Sequence, residues 1–168
     1  MSELTTNERI GQLQDMCNTY GDFKVAIANK TEDGDMRWTK HKSVMECWET
    51  ETGVWFLGKA NNRQIFQCEL VLDLDKDPSL EKLNKICDFL ESERTHFKAY
   101  FTGSKGYHIH IINAEFLNMD TRLAEQVKSF LIRMFDCDIL KSSSKVMIAL
   151  ENVPHWKTGK SKTLLRFY

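Results

Sequence analysis

The chain has 168 residues, a net charge of −1 and a hydrophobic fraction of 42%. This length suits one compact domain, and a content of only two prolines and eight glycines excludes a low-complexity or linker-like chain. No apolar run is long enough to span a bilayer, and the first residues lack the basic-then-apolar order of a signal peptide, so we expect a cytoplasmic protein with no membrane partner.

The near-neutral total conceals an uneven distribution of charge. Residues 139–168 carry six basic side chains against the single acid Glu151, a local charge of +5, which leaves −6 on residues 1–138. The six are Lys141, Lys145, Lys157, Lys160, Lys162 and Arg166. A basic end of this kind attracts phosphate groups even when the whole chain is almost neutral. A solvated basic tail without a partner is the alternative interpretation.

The cysteines are dispersed along the sequence and form no CxxC pair. This spacing argues against a structural zinc site and against a disulfide framework, and it favours reduced thiols. The five positions are Cys17, Cys47, Cys68, Cys87 and Cys137.

The first 64 residues predict a helix followed by short β elements. Thr5 and Glu8 have the spacing of a capping box, and apolar residues follow at helical spacing up to Gly21. Residues 23–29 and 36–41 predict a hairpin around a turn-rich TEDGD, and residues 53–59 (GVWFLGK) predict a strand. The intervening SVMECWET is ambiguous between helix and loop.

Residues 65–151 predict the order strand, helix, strand, strand, helix, strand. The segment IFQCELVLDLD gives the first strand, and Asp77 and Pro78 then cap and open a helix. FKAYFT and YHIHIIN are two strands joined by a short GSKG connection, and Asp120 caps a second helix. VMIALE is the sixth element, and TLLRFY forms a further strand. The apolar stripe of the second helix is Leu123, Val127, Phe130, Leu131 and Met134.

This order is that of an α+β fold of the RRM-like type, the ferredoxin-like split βαβ arrangement. Two helices cover one face of such a sheet and leave the other face accessible. We therefore predict a single domain over residues 1–168. It consists of an N-terminal α/β elaboration over 1–64 and an RRM-like sheet with a basic C-terminal segment over 65–168.

Two aspartates alternate with leucines at the end of the first strand of that sheet. Because side chains alternate along a strand, Asp73 and Asp75 point to the same face, and the leucines of ELVLDLD point to the other. Aspartate is disfavoured inside strands, so a pair needs a reason. The carboxylates either close the strand or supply hard oxygen ligands to Mg²⁺ or Mn²⁺.

Two histidines lie on one face of the strand that follows the GSKG connection. His108 and His110 either form part of a polar strand face or bind a metal. In the loop before them, Gly103 and Gly106 let backbone amides approach an anion, and Lys105 adds positive charge. The spacing is not that of a Walker P-loop.

A third acidic group and a basic loop follow the second helix. Asp136 or Asp138 would supply a third carboxylate if the chain brings it near the sheet. Beyond them, HWKTGKSK combines basic residues with an aromatic ring, a pattern that suits phosphate and base contacts and equally suits an ordinary basic turn.

Taken together, ELVLDLD, FTGSKGYHIHI and DCDILKSSSKVMIALENVPHWKTGK resemble, in this order, the signature segments of the archaeo-eukaryotic primase superfamily. That superfamily includes the small catalytic subunit of archaeal and eukaryotic DNA primase and the related primase-polymerases. The layout of residues 23–168 is similar, and the specific motifs occupy about a quarter of the chain. The chain resembles a minimal form, in an archaeal, viral or plasmid context, because it has no zinc knuckle between the histidine motif and the third acid.

The resemblance implies a role for particular residues. The metal ligands and catalytic acids would be Asp73, Asp75 and Asp138, with Asp136 and Glu151 as rivals for the third position. The nucleotide-binding residues would be Thr102, Ser104, Lys105, His108, His155, Lys157 and Thr158.

The implied activity is template-directed nucleotidyl transfer by two divalent ions, Mg²⁺ or Mn²⁺, with an NTP or dNTP as substrate. The expected partners are a single-stranded DNA template and a primer, with a primase large subunit or a helicase as a further protein partner. Three alternatives stay open: a gap-filling repair polymerase of the same superfamily, a metal-dependent nuclease, and an RRM-like binding module without catalysis.

Overall fold

The computed structural model describes residues 4–168. Five helices and ten strands follow one another in the order α1 (Thr6–Tyr20), β1 (Lys24–Ala26), β2 (Ala28–Lys30), β3 (Met36–Trp38), β4 (Lys42–Ser43), α2 (Val44–Cys47), α3 (Glu51–Lys59), β5 (Asn62–Gln64), β6 (Glu69–Asp73), α4 (Leu80–Ser92), β7 (Lys98–Phe101), β8 (Tyr107–Ile112), α5 (Thr121–Met134), β9 (Met147–Ala149) and β10 (Thr163–Phe167). Two 3₁₀ turns, Ala114–Asn118 and Ile139–Ser142, flank α5. Within these residues no helix is both long and apolar enough to cross a membrane.

The chain divides into two compact units. The first contains the residues up to Gln64 together with Met147–Lys162, and the second contains Ile65–Val146 together with Thr163–Tyr168. The sequence division at residue 64 coincides with one boundary. The segment Met147–Lys162 differs from the expectation, because it belongs with the N-terminal elements rather than with the sheet that precedes it.

An antiparallel four-stranded sheet forms the centre of the second unit, with the strand order β10-β7-β8-β6. One face of this sheet packs on α4 and α5, because alternate strand residues and the inward helix positions bury their apolar side chains together. The buried core contains Leu70, Leu72, Leu74, Leu83, Ile86, Cys87, Leu90, Phe97, Ala99, Ile109, Ile111, Phe116, Ala124, Ile132 and Cys137.

The coarse fold class, α+β with antiparallel sheets, agrees with the sequence prediction. The sixth predicted element does not lie where the prediction put it. VMIALE forms β9, which pairs with β5 in the sheet of the first unit, while β10 occupies the β7 edge of the second sheet. A local sequence pattern identifies a strand, but it does not identify the strand with which it pairs, because that strand is distant in the sequence. For this reason the pairing of β9 was predicted incorrectly.

The first unit contains a second four-stranded sheet, in the order β4-β1-β5-β9, and a hairpin of β2 and β3. The hairpin confirms the predicted turn around TEDGD. Helix α1 confirms the predicted capping box, since the Thr5 hydroxyl accepts a hydrogen bond from Glu8 N and the Glu8 carboxylate accepts one from Thr5 N.

The segment GVWFLGK is a helix, not the strand that the sequence suggested. The Thr50 hydroxyl caps α3 by accepting a hydrogen bond from Gly53 N. Gly53, Phe56 and Leu57 are buried, whereas Trp55 is 62% exposed. Burial at positions i, i+3 and i+4 is the pattern of a helix face, and a half-buried strand would have buried every second residue.

Two details of the predicted helices are also wrong. Ser79, not Asp77, is the N-cap of α4, and its hydroxyl accepts a hydrogen bond from Lys82 N. Asp120 does cap α5, but the inward positions of α5 are Ala124, Lys128 and Ile132. The buried face of α5 is therefore shifted by one residue from the predicted apolar stripe. Val127 and Leu131 of that stripe pack at the margin of the core, and its other three residues, Leu123, Phe130 and Met134, are exposed.

The buried cysteines of the second unit should react slowly with thiol reagents. Burial raises the pKa of the Cys87 thiol to about 11 and that of the Cys137 thiol to about 11, so the reactive thiolate is scarce at pH 8. We expect Cys17, which is half-buried on α1, to be alkylated by iodoacetamide at pH 8 before Cys87 and Cys137. Mass spectrometry of peptides after timed alkylation measures the order, and equal rates for the three thiols in folded protein would contradict it.

Candidate functional site

The candidate site lies where β6 ends beside the beginning of β8. The two strands are antiparallel, and their register places Asp73 directly opposite His108. Asp73 is the last residue of β6 and is 1% exposed, although its neighbours Leu72 and Leu74 point into the helix-covered core. The carboxylate therefore lies on the opposite face of the sheet.

That opposite face is buried, which differs from the accessible face that the fold class led us to expect. Asp73, His108, His110 and Glu69 are each less than a tenth exposed. Acid and imidazole groups pair on this face, and pairing lowers the cost of burying them. Glu69 Oε1 is 2.6 Å from His110 Nδ1, and Glu69 Oε2 accepts a hydrogen bond from Phe66 N.

Asp73 contacts two cationic or potentially cationic side chains. Its Oδ2 atom is 3.1 Å from Lys141 Nζ and 3.4 Å from His108 Nε2. Burial by itself raises the pKa of Asp73, but the hydrogen bonds and charges of His108 and Lys141 outweigh burial and hold the pKa well below its usual range. Asp73 therefore stays ionised at neutral pH.

Asp138 is brought next to Asp73 by a backbone hydrogen bond. Asp138 N donates to the Asp73 carbonyl oxygen over 3.0 Å, which fixes the start of the 139–142 turn beside the end of β6. Asp138 Oδ1 caps that turn by accepting from Leu140 N, and its Oδ2 is 3.9 Å from Lys141 Nζ. The carboxylates of Asp73 and Asp138 thus converge on one ammonium group.

The two rivals of Asp138 for the third acidic position lie elsewhere. The Asp136 side chain is 94% exposed and lies 3.7 Å from Lys82 Nζ. Glu151 belongs to the first unit, where it is buried and receives two hydrogen bonds from Arg63, of 2.8 and 3.0 Å, and an ion pair of 3.3 Å from Lys162. Cations of its own unit therefore neutralise Glu151.

Asp75 lies two residues beyond Asp73, exposed and outside the regular strand. Its backbone N–H donates to Asp73 Oδ1 over 3.0 Å, so the two acids are joined by a short turn. The Asp75 carboxylate packs against the backbone of Gly106: a Cβ atom at position 106 would overlap Asp75 Oδ1. The second acid therefore lies at the loop that precedes β8, and Gly106 is required for this approach.

The loop over residues 102–106 is closed by its own hydrogen bonds. Thr102 N donates to Gly106 O over 3.1 Å, and the Thr102 hydroxyl accepts from Gly106 N and Ser104 N. Gly103 has a φ of 85°, which favours glycine. Thr102 is buried within the loop, whereas Lys105 is exposed, so Lys105 is the loop side chain best placed to meet a ligand from solvent.

The remaining predicted nucleotide-binding residues lie in a loop of the first unit, between Pro154 and Ser161. His155 N donates to Lys160 O, and His155 Nδ1 accepts from Lys157 N. The Thr158 hydroxyl accepts from Lys160 N over 3.2 Å. These bonds organise the loop and leave Lys157 and Thr158 exposed.

The basic C-terminal segment is less available to a phosphate backbone than its sequence suggested. Lys162 is fully buried with Glu151, and Arg166 binds Asp88 and Glu91 at 2.8 Å each. Lys141 is held by the acids of the second unit. Of the six basic residues in this segment, the exposed ones are Lys145, Lys157 and Lys160.

Two residues of the site, Lys141 and Glu69, were not predicted from the sequence. Lys141 was counted only as part of a basic segment, although its position three residues after Asp138, in DILK, places both side chains on one 3₁₀ turn. Glu69 precedes Asp73 by four residues, so strand alternation puts it on the same face. The even spacing between Glu69 and Asp73 in the sequence could have predicted that Glu69 lies on the same face.

Asp73, Asp75 and Asp138 are the side chains of the second unit that could hold a hard divalent cation. In residues 4–168 no group of three or more His, Cys, Asp and Glu side chains stands in metal-binding geometry. Nevertheless, two carboxylates face one positive charge at Lys141, and Asp75 is joined to them by a short turn. Carboxylate oxygens are the ligands that Mg²⁺ and Mn²⁺ prefer.

No model of a known protein family matches the chain, and a search of the curated proteins finds no significant match.

Glu151 should prove to be a stabilising residue. The variant Glu151→Gln leaves Arg63 and Lys162 buried without a carboxylate, so we expect a loss of about 3 kcal/mol in the free energy of unfolding. Urea denaturation measures this loss, with the exposed Glu49→Gln as a matched control that should lose less than about 0.5 kcal/mol. A Glu151→Gln variant as stable as the control would contradict the structural role.

Proposed function

We propose that this chain is a template-directed nucleotidyltransferase, a DNA primase or primase-polymerase of the archaeo-eukaryotic type. The observation that carries the proposal is the convergence of Asp73 and Asp138 on one cation, beside His108 and next to the loop that packs on Asp75. The three segments that resemble that superfamily are far apart in the sequence, and each of them supplies at least one residue to this cluster.

The arrangement of the second unit supports the finer fold assignment. Strands β7, β8 and β6 are adjacent in this order and are antiparallel, and α4 and α5 cover one face. This is the neighbour relation of the first three strands in an RRM-like sheet. In this chain β10 extends the sheet at the β7 edge.

The acids would hold the metal. Asp73, Asp75 and Asp138 are the candidate ligands, and divalent ions bound there would lower the pKa of an attacking 3′-hydroxyl and neutralise charge on the triphosphate. Asp73 is suited to this role because its carboxylate is ionised at neutral pH and is fixed at a strand end. A rigid element positions ligands more accurately than a mobile loop does.

The side chains of His108 and Lys105 would bind and orient the substrate. His108 lies against Asp73, so the phosphates of a nucleoside triphosphate that reach the acids also reach its imidazole. Lys105 is exposed on the neighbouring loop and adds charge from solvent. In the reaction, the 3′-hydroxyl of the primer would lose its proton to solvent and its oxygen would form a bond to the α-phosphorus. The bond from the α-phosphorus to the bridging oxygen would break, and pyrophosphate would leave.

The substrates follow from this chemistry. The proposal includes an NTP or dNTP, a single-stranded DNA template and a primer terminus. The exposed lysines at positions 145, 157 and 160 are the side chains that would contact a nucleic-acid backbone, and binding should weaken as salt increases.

Replacing the two strand-end acids should abolish synthesis. We expect Asp73→Asn combined with Asp75→Asn to reduce incorporation of labelled nucleotides on a single-stranded template, in Mn²⁺, by about a thousandfold or more, because the hard ligands are lost. Asp77→Asn is the matched control, since Asp77 is an exposed aspartate two residues further on, and it should keep wild-type activity.

The same assay separates the competing functions. Extension of a labelled primer, or product formed without any primer, supports synthesis, and a gapped template tests the repair-type polymerase. Nucleotide-independent shortening of the labelled strand would identify a nuclease instead. Wild-type incorporation by the double variant would contradict the assignment of these acids.

A further inference from the structure

Lys141 occupies the position that a metal cation would take between the acids. Its Nζ atom is 3.1 Å from Asp73 Oδ2 and 3.9 Å from Asp138 Oδ2, and its side chain is 17% exposed. The Asp73 carboxylate is 2% exposed, so it needs a positive charge nearby in order to stay ionised. Lys141 supplies that charge.

A divalent ion and the Lys141 ammonium cannot share this position. Two positive charges a few ångströms apart repel strongly where solvent is scarce, so binding of a metal to Asp73 and Asp138 has to displace the lysine. The displacement that we infer moves the side chain alone. Lys141 N is held by Asp138 O over 3.2 Å, and the four-carbon side chain has the freedom to move its charge.

The displaced ammonium needs a new anionic partner. Of the other acidic side chains near the turn, Asp136 is 94% exposed and is engaged by Lys82, and Asp75 is itself a proposed metal ligand. A nucleoside triphosphate, on the other hand, arrives at the same acids together with its divalent ion and carries several negative oxygens. Its phosphates would therefore be the anions within reach of Lys141.

We propose that Lys141 is an exchangeable counter-charge: it neutralises Asp73 and Asp138 when no metal is bound, and it moves to the substrate phosphates when a divalent ion enters. This inference rests on the proposed function, because it takes the acids as the metal ligands and a nucleoside triphosphate as the anion. Lys141 is a positioning and specificity residue for that reaction.

The exchange couples the two binding events. Metal alone binds weakly, because it has to break the ion pair between Lys141 and Asp73 without a new partner for the lysine. Metal and nucleotide together bind more tightly than the separate affinities indicate, and by linkage each raises the affinity of the other by the same factor. The acids would thus have a low affinity for a divalent ion when no triphosphate is present.

Direct titration of Mn²⁺ tests the coupling without any turnover. We would measure free Mn²⁺ by electron paramagnetic resonance with wild-type protein and with Lys141→Met, each with and without a nucleoside triphosphate analogue whose α,β-bridge is a methylene group. We expect Lys141→Met to bind Mn²⁺ alone about tenfold more tightly than wild type. The analogue should raise Mn²⁺ affinity about tenfold or more in wild type and less than threefold in the variant.

Two further variants serve as controls. Lys98→Met removes the same charge from an exposed position on β7 of the same unit and should titrate as wild type does. Lys141→Arg keeps the charge and should restore most of the coupling. Metal-free Lys141→Met should also melt about 5 °C lower than wild type, because Asp73 loses a cation, and Mn²⁺ should restore most of this difference. If Lys141→Met does not fold, Lys141→Gln, which keeps a donor for Asp73, takes its place.

The failure of this inference is distinguishable from failure of the proposed function. If Asp73→Asn weakens Mn²⁺ binding while Lys141→Met leaves both the affinity and the coupling at wild-type values, the acids bind metal and the exchange of Lys141 is wrong. Weaker Mn²⁺ binding by Lys141→Met overturns the exchange equally. If Asp73→Asn has no effect on Mn²⁺ binding in any variant, the metal site of the proposed function is wrong, and the inference is wrong with it.

Discussion

The buried carboxylate of Asp73 is the constraint on which the second unit depends. A charged group at the end of an edge strand, removed from water, is stable only when opposite charges and donors surround it. The register of β6 with β8 supplies His108, the backbone bond from Asp138 N fixes the 139–142 turn, and that turn supplies Lys141. These contacts come from β8 and from the 139–142 turn, so Asp73 also links both of them to the end of β6.

The same strand explains why the site lies at this edge. Leucines at alternate positions of β6 pack into the core between the sheet and the two helices, which fixes the direction of the intervening acids. The Asp75 carboxylate then needs room where the chain leaves the strand, and Gly106 provides it by having no side chain. Core packing on one face thereby determines the chemistry on the other face.

Local patterns in the sequence predicted most elements of the second unit. The alternation in β6, the two helices and the histidine strand are properties of short segments, and they appear in the structure. The positions of β9 and β10 depend on pairing with distant strands, and a short apolar segment carries no record of its partner. The apolar segment of α3 was misread because the cap at Thr50 was overlooked, and the cap decides that this segment begins a helix.

Charges were harder to predict than elements. From the sequence, Lys141, Lys162 and Arg166 were predicted to belong to one basic segment that attracts phosphate. In the structure each of them forms an ion pair with an acidic side chain. The partners are far apart along the chain: Arg63 and Glu151, for example, are separated by 88 residues. Counting charged residues in the sequence gives the net charge of a segment, but it does not show which acidic and basic side chains form ion pairs in the folded chain.

Two of the buried carboxylates in residues 4–168, Glu151 and Asp73, each contact two basic side chains, but the two sets of partners differ in their exposure to solvent. Glu151 receives two hydrogen bonds from the planar Arg63 guanidinium and an ion pair from Lys162, whose side chain has no exposed surface. All three side chains of this set are almost completely shielded from solvent. Asp73 has instead a lysine with a flexible stem that is partly exposed, and an imidazole at a longer distance. The same electrostatic requirement is therefore met by a buried ion cluster in the first unit and by a partly exposed one in the second, and the exchange of Lys141 that we propose needs a cluster of the second kind.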